Sequence, residues 1–236
     1  MQDIYTNGTY LQNNPYWHEE DASFKADEIA AIVKRNSIDP NSVAEVGCGT
    51  GEILHCLHKK WSKVLFFYGF DISSTAIERA KKKENGKIIF NVEDFANNNR
   101  NECFDLVLVI DVIEHIENYF SFLRGIVSKG KHTVFHIPLD MSFRTIMNEK
   151  ILIESKSRVG HIHNFTEDFI VRILADCGFE TIDLHYTAPL YETKNLRQKI
   201  FKFLQMQCFK ISPRICSKIF GGCSVLLLTK NKIALP

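Results

Sequence analysis

The stretch Val43-Ala-Glu-Val-Gly-Cys-Gly-Thr-Gly51 constrains this chain more than any other. Apolar Val43, Ala44 and Val46 lead into glycines at every second position, 47, 49 and 51. Ile53, Leu54 and Leu57 then recur at helical spacing. The pattern predicts a buried strand, a tight turn and a helix start. Glycine suits such a turn because it accepts positive φ and lets a ligand approach the backbone closely.

Loops of this kind hold nucleotide-like ligands, so the generic reading is a Rossmann-like cofactor site. The dinucleotide fingerprint G-x-G-x-x-G is broken, because Glu52 stands where its third glycine belongs. Glu45 and Glu52 would repel a pyrophosphate. A cofactor carrying a sulfonium and an ammonium tolerates both. At these residues the chain resembles the class I S-adenosylmethionine-dependent methyltransferases. Their first motif, Glu/Asp-x-Gly-x-Gly-x-Gly, is matched by Glu45, Gly47, Gly49 and Gly51. A plain strand–helix turn would carry the same glycines, so the weight falls on the segments that follow.

Those segments come in order. Val64–Phe70 is a continuous apolar run ending in Asp71, which predicts a strand buried on both faces and hence a parallel sheet. An acid at the end of a second strand is placed to take both hydroxyls of a ribose. It could equally cap the helix predicted over Ser73–Lys83. Ile88–Val92 reads as a third strand, Phe104–Ile110 as a fourth and Thr133–Pro138 as a fifth, with a helix over about Asn118 to Lys129. Thr166 opens a helix that Gly178 stops, and Phe179–Tyr186 and Ser224–Thr229 are the last two strands. Such alternation predicts a doubly wound, Rossmann-like α/β fold with a seven-stranded sheet. The resemblance makes that sheet mostly parallel with an antiparallel last strand.

The resemblance also implies roles. Glu45, Gly47, Gly49 and Gly51 would hold S-adenosyl-L-methionine, with S-adenosyl-L-homocysteine as product. Asp71, with Ile72 beside it, would take the ribose. Asp94 would receive the adenine amino group, with Glu93 in reserve and Phe95 against the ring. Asp111-Val-Ile-Glu-His-Ile116 resembles the segment after the fourth strand in small-molecule methyltransferases, including ubiquinone-biosynthesis-like O-methyltransferases. Asp111 would face the cofactor there. In several of them a histidine in this segment is the base.

An oxygen nucleophile needs a proton acceptor within hydrogen-bond reach, and histidine titrates near neutrality. His115 is the first candidate base and His136, near the end of the fifth strand, the second. A histidine that merely positions the cofactor would occupy position 115 as well. His161 and His163, in Gly160-His-Ile-His-Asn164, could form a metal site with Glu114 or Asp111. Two loop histidines are more often substrate contacts, so no metal is expected.

The chain reads as one domain of 236 residues: an N-terminal lid and helix over 1–38, a cofactor core over 40–140 and a helical insertion over 190–220. Tyr5, Tyr10, Tyr16 and Trp17 suggest docking onto the domain, as a substrate lid or as simple packing. The lid, the Gly160–Asn164 loop and the insertion are expected to converge over the carboxyl ends of the strands. In the insertion, Leu196, Ile200, Phe203 and Leu204 form an apolar stripe among Arg197, Lys199 and Lys202, and no acid follows Glu192. The stripe either packs over the sheet edge or touches anionic lipid.

A net charge of +1 and the lack of a basic arm argue against a nucleic-acid partner. The expected acceptor is a small molecule, a sugar or a lipid-linked glycan, methylated on oxygen. Seven scattered cysteines and no visible signal peptide suit reduced thiols in the cytoplasm. Two other classes stay open: a non-catalytic cofactor-binding subunit that activates a partner, and a nucleotide-dependent oxidoreductase.

Overall fold

The structure is a computed structural model that describes residues 19–98, 102–189, 191, 193 and 195–232. The proposed lid over residues 1–17 lies outside the described residues. Seven strands form one sheet: β1 (Ser42–Val46), β2 (Phe66–Asp71), β3 (Ile88–Val92), β4 (Phe104–Ile110), β5 (Gly130–Leu139), β6 (Phe179–Thr187) and β7 (Cys223–Asn231). Their order is β3-β2-β1-β4-β5-β7-β6. The first five are parallel, and β7 runs antiparallel to both β5 and β6.

Helices cover both faces, as a parallel sheet requires. Alternate residues of the central strands serve opposite layers. On one face Val43, Leu106, Leu108 and Val134 pack with α1 (Glu19–Arg35), α2 (Glu52–Lys60) and α3 (Ser74–Ala80). On the other, Val46, Val107, Val109 and Phe135 pack with α4 (Tyr119–Ile126) and α7 (Glu167–Asp176). Between β5 and α7 lie α5 (Phe143–Met147) and α6 (Lys150–Val159), which the sequence reading left unassigned. Neither has more than one buried residue, so neither carries a strong apolar period.

The insertion is α8 (Leu196–Ile211) followed by α9 (Pro213–Ile219). Its apolar stripe does not pack over the sheet edge. Leu196, Ile200, Phe203 and Leu204 are all exposed, and Gln205 is the residue α8 buries. Among the described residues no helix is long and apolar enough to cross a membrane.

Candidate functional site

The sheet's order reverses between β1 and β4, which leaves a crevice at the carboxyl ends of the strands. A cleft of about 940 Å³ lies there, lined by residues of the glycine loop, the ends of β2 and β4, and the segments after β3 and β5. Gly47, Gly49 and Gly51 take φ of 71°, 53° and 78°, the left-handed region that glycine enters without strain. Gly47 and Gly49 line the cleft. Gly51 instead caps α2 from behind, where a Cβ would stand 2.3 Å from the Phe90 ring. It packs against Phe90, shapes the turn and does not line the cleft.

Asp71 ends β2 and ties it to the loop. Its Oδ2 accepts from Gly49 N–H at 2.9 Å, and its Oδ1 accepts from Ser73 N–H at 2.8 Å. The cap of α3 is Ser73, whose Oγ accepts from Ala76 N–H, so Asp71 is not the helix cap. Burial raises the Asp71 carboxyl, against the backbone N–H groups that favour its ionised form. Ile72 is exposed beside it and lines the same wall.

Glu45 is buried at the end of β1, and its Oε2 has no hydrogen-bond partner. Burial, then the charge of Asp71, pushes its carboxyl up to about 8, against the opposing pull of Lys25. A buried acid with one unpartnered oxygen, beside a second acid, suits a cationic ligand and disfavours a phosphate. The donor set therefore fits the sulfonium and ammonium of S-adenosylmethionine.

Asp94 is exposed at the rim and accepts from Asn97 N–H and Nδ2. Phe95 lines the cleft but is only 2% exposed. Its ring sits 4.7 Å from that of Phe70, with the Lys129 ammonium over it. The ring thus packs into the core under the floor of the cleft and leaves little surface open to it.

Asp111 follows β4 with φ of 54°, a strained value for a non-glycine. It is held by Lys25 Nζ at 2.8 Å and His136 Nδ1 at 2.6 Å. Burial alone would raise its carboxyl; the His136 and Lys25 charges overcome this and hold it far below the usual range. Burial alone would lower the Lys25 ammonium, and Asp111 reverses that too. Lys25, on α1, escaped sequence reasoning because a lysine on a helix face carries no local signal of its partner. The other ring nitrogen of His136 lies 2.9 Å from Thr187 Oγ1, so both nitrogens serve this network.

His115 ends a short 3-10 turn, Ile113–His115, and lines the cleft with its Nδ1 3.1 Å from Gly160 O. The His161 ring meets it edge-on, 5.0 Å between centroids. His161 Nδ1 lies 2.7 Å from Asp140 Oδ2, a carboxylate–histidine pair. His163 turns away, with its Nε2 on Ile116 O and its ring against Tyr119. Glu114 is fully buried, and neither carboxylate oxygen has a hydrogen-bond partner. Burial, then the charge of Asp111, drives its carboxyl well above the usual range.

One donor atom each from Glu114, His115 and His161 falls within 4.8 Å of the others. That trio could hold a divalent cation; His163 and Asp111 are not part of it. Of the three regions expected to converge, residues near Gly160 (Val159, His161) and the insertion's flanks (Tyr191, Gly222) do line the cleft. The third, the N-terminal lid, is not described.

Solved structures share this fold. Magnesium protoporphyrin IX methyltransferase from Synechocystis PCC 6803, with bound S-adenosylhomocysteine, is 18% identical with a TM-score of 0.60, over 89% of this chain and 83% of that one. The N-methyltransferase NodS from Bradyrhizobium japonicum, also with S-adenosylhomocysteine, is 16% identical with a TM-score of 0.54, over 84% and 81%. The methyltransferase domain of bacterial CtHen1 is 16% identical with a TM-score of 0.57, over 90% and 100%. Residues 16–184 match the family described as "Methyltransferase domain", which sets aside the oxidoreductase reading. The chain therefore belongs to the methyltransferase-domain family, and its cofactor is S-adenosyl-L-methionine.

Proposed function

We propose that the protein methylates a hydroxyl of a small molecule, a sugar or a lipid-linked glycan, with His115 as proton acceptor. S-adenosylmethionine supplies an activated methyl group, so the chain's own task is mostly alignment and proton handling. Glu45 and Asp71 bind and orient the cofactor from the glycine-loop side. Asp111, fixed by Lys25 and His136, braces the opposite wall. The observation that carries the reading is the pair His115 and His161, set edge to face on the cleft beyond the end of β4. His136 is a positioning residue, since Asp111 and Thr187 occupy both its nitrogens.

General-base help is typically worth about 10²–10⁴-fold. His115→Ala should lower kcat by that order with any accepted hydroxyl substrate, while calorimetry with S-adenosylhomocysteine shows unchanged affinity. Near-full kcat with lost cofactor affinity would make His115 a positioning residue. A partner-activating subunit without turnover would instead bind cofactor, methylate nothing alone and co-purify with a stoichiometric partner.

A second reading has Glu114, His115 and His161 hold a divalent cation that orients the acceptor oxygen. The buried carboxyl of Glu114 favours it: neither oxygen has a hydrogen bond, His115 Nε2 lies 3.8 Å away, and such a buried acid is costly unless something pairs with it closely. The Asp140 contact to His161 has the form of a carboxylate supporting a metal-binding histidine. Activity lost to a chelator and restored by one added metal would favour this reading over the base.

A further inference from the structure

Helix α8 carries apolar residues on its outer side as well as its inner one, where Phe201 and Phe209 are half-buried. At about 100° per residue, Leu196, Ile200, Phe203, Leu204 and Ile211 fall within a single sector roughly 100° wide. That sector faces solvent: Leu196 is 71% exposed, Phe203 62% and Ile211 87%. The opposite side holds Gln205, 1% exposed, which donates to Gly221 O at 2.7 Å and accepts from Tyr191 Oη at 2.7 Å. A soluble helix turns its apolar sector to the core. This one turns a polar residue inward and fixes it there, so its orientation is held by specific contacts.

The apolar surface continues onto α5. Phe143 and Ile146 are exposed there, and Arg144 lies over the Phe201 ring of α8 at 4.5 Å, joining the two helices. Charge says what this face meets. Arg197 projects along one edge of the stripe, and Lys199 and Lys210 along the other. All three are exposed, and none forms an ion pair among the described residues. No Asp or Glu occurs after Glu192, so nothing on the helix offsets them.

An apolar sector between rows of unpaired cations is the pattern of a helix lying in a lipid interface, its apolar side in the acyl boundary and its cations among the phosphates. We infer that the outer face of α8, extended by α5, seats the protein on an anionic phospholipid bilayer. The segments flanking the same hairpin border the cleft through Tyr191 and Gly222. Docking therefore sets the mouth of the cleft close to the membrane plane. The inference stands on α8 itself and does not require the acceptor reading above.

The test is sedimentation of the full chain with vesicles of phosphatidylcholine alone and of phosphatidylcholine with phosphatidylglycerol. Binding should require the anionic lipid and weaken with salt. Lys199→Glu with Lys210→Glu should lower partitioning by about 25-fold or more, at about fivefold per basic residue lost. Phe203→Ser with Leu204→Ser should abolish it. Both double variants should keep wild-type S-adenosylhomocysteine affinity, which separates a surface defect from misfolding. Equal binding to neutral and anionic vesicles, or none to either, would overturn the inference. So would a dimer in analytical ultracentrifugation that Phe203→Ser with Leu204→Ser converts to monomer, since the face would then be a subunit interface.

Discussion

Asp71 and Gly49 are joined across two strand ends by a single hydrogen bond, carboxylate to backbone N–H, 2.9 Å long. The residue proposed to bind the cofactor is thus also one that holds the glycine loop in shape. Charge-assisted bonds of this kind are worth about 1.5–3 kcal/mol. Asp71→Ala should weaken S-adenosylhomocysteine binding by at least that, with a parallel loss in thermal stability of the cofactor-free protein. Unchanged affinity in calorimetry would refute the assignment.

Glu45 supplies a pH signature. Its folded pKa of about 8 lies above the ordinary 4.5, so the folded state keeps a proton that the unfolded state has released. The stability it contributes is full below about pH 4.5 and is lost as pH rises through 8. Glu45→Gln should therefore stabilise the cofactor-free protein at pH 8 and leave it little changed at pH 5. A cationic ligand favours the carboxylate, so cofactor binding at pH 7 should release a proton. Calorimetry in buffers of different ionisation enthalpy would detect it, and the release should vanish in the Gln variant.

Lys25 and Asp111 make the opposite prediction. The Asp111 pKa is depressed, so its contribution is present above the unfolded carboxylate pKa and fades as pH falls through the folded one. Lys25→Met leaves the acid with His136 alone. Breaking a fully buried pair costs about 3–5 kcal/mol; this one is partly solvated, so about 2 kcal/mol is expected. Urea unfolding at pH 7 measures it, and the deficit should persist at pH 4, where the folded Asp111 is still ionised.

Gly51→Ala tests whether that residue serves packing rather than cofactor contact. Positive φ and a Cβ placed 2.3 Å from Phe90 together should cost about 2–4 kcal/mol. Phe90→Leu in the same chain should recover part of it. A stable Gly51→Ala protein with poor cofactor affinity would instead restore Gly51 to the binding surface.

Strands were legible wherever apolar runs were continuous. Ile88–Val92 and Phe104–Ile110 match the observed β3 and β4 end to end; β4 is central and buried almost throughout, whereas β3 is an edge strand that leaves Ile89 and Val92 exposed. The wall of the cleft was legible where spacing is local: Glu45, Gly47, Gly49 and Asp71 all line it. What was missed is non-local. Nothing near Lys25 announces Asp111, and nothing near His161 announces Asp140 or His115; those pairings exist only once the sheet brings distant loops together. The stripe on α8 was readable as a period but not as a direction. Periodicity says that a helix has two sides, and only the contacts of Gln205 say which side faces in.

The reversal of β7 has an architectural consequence. Thr187, at the end of β6, is in register with Ser224, at the start of β7, so the whole segment 188–222 springs from two adjacent points on the sheet. Such a segment can be lengthened, shortened or exchanged without shifting any strand. Its ends are close enough for a tight turn, and replacing it by one would save about three halvings of loop length, roughly 2 kcal/mol of closure entropy. The molecule is built as a socket with a separate fitting: the sheet carries the glycine loop, and the fitting is anchored at two neighbouring points at the sheet's β6 edge, away from that loop.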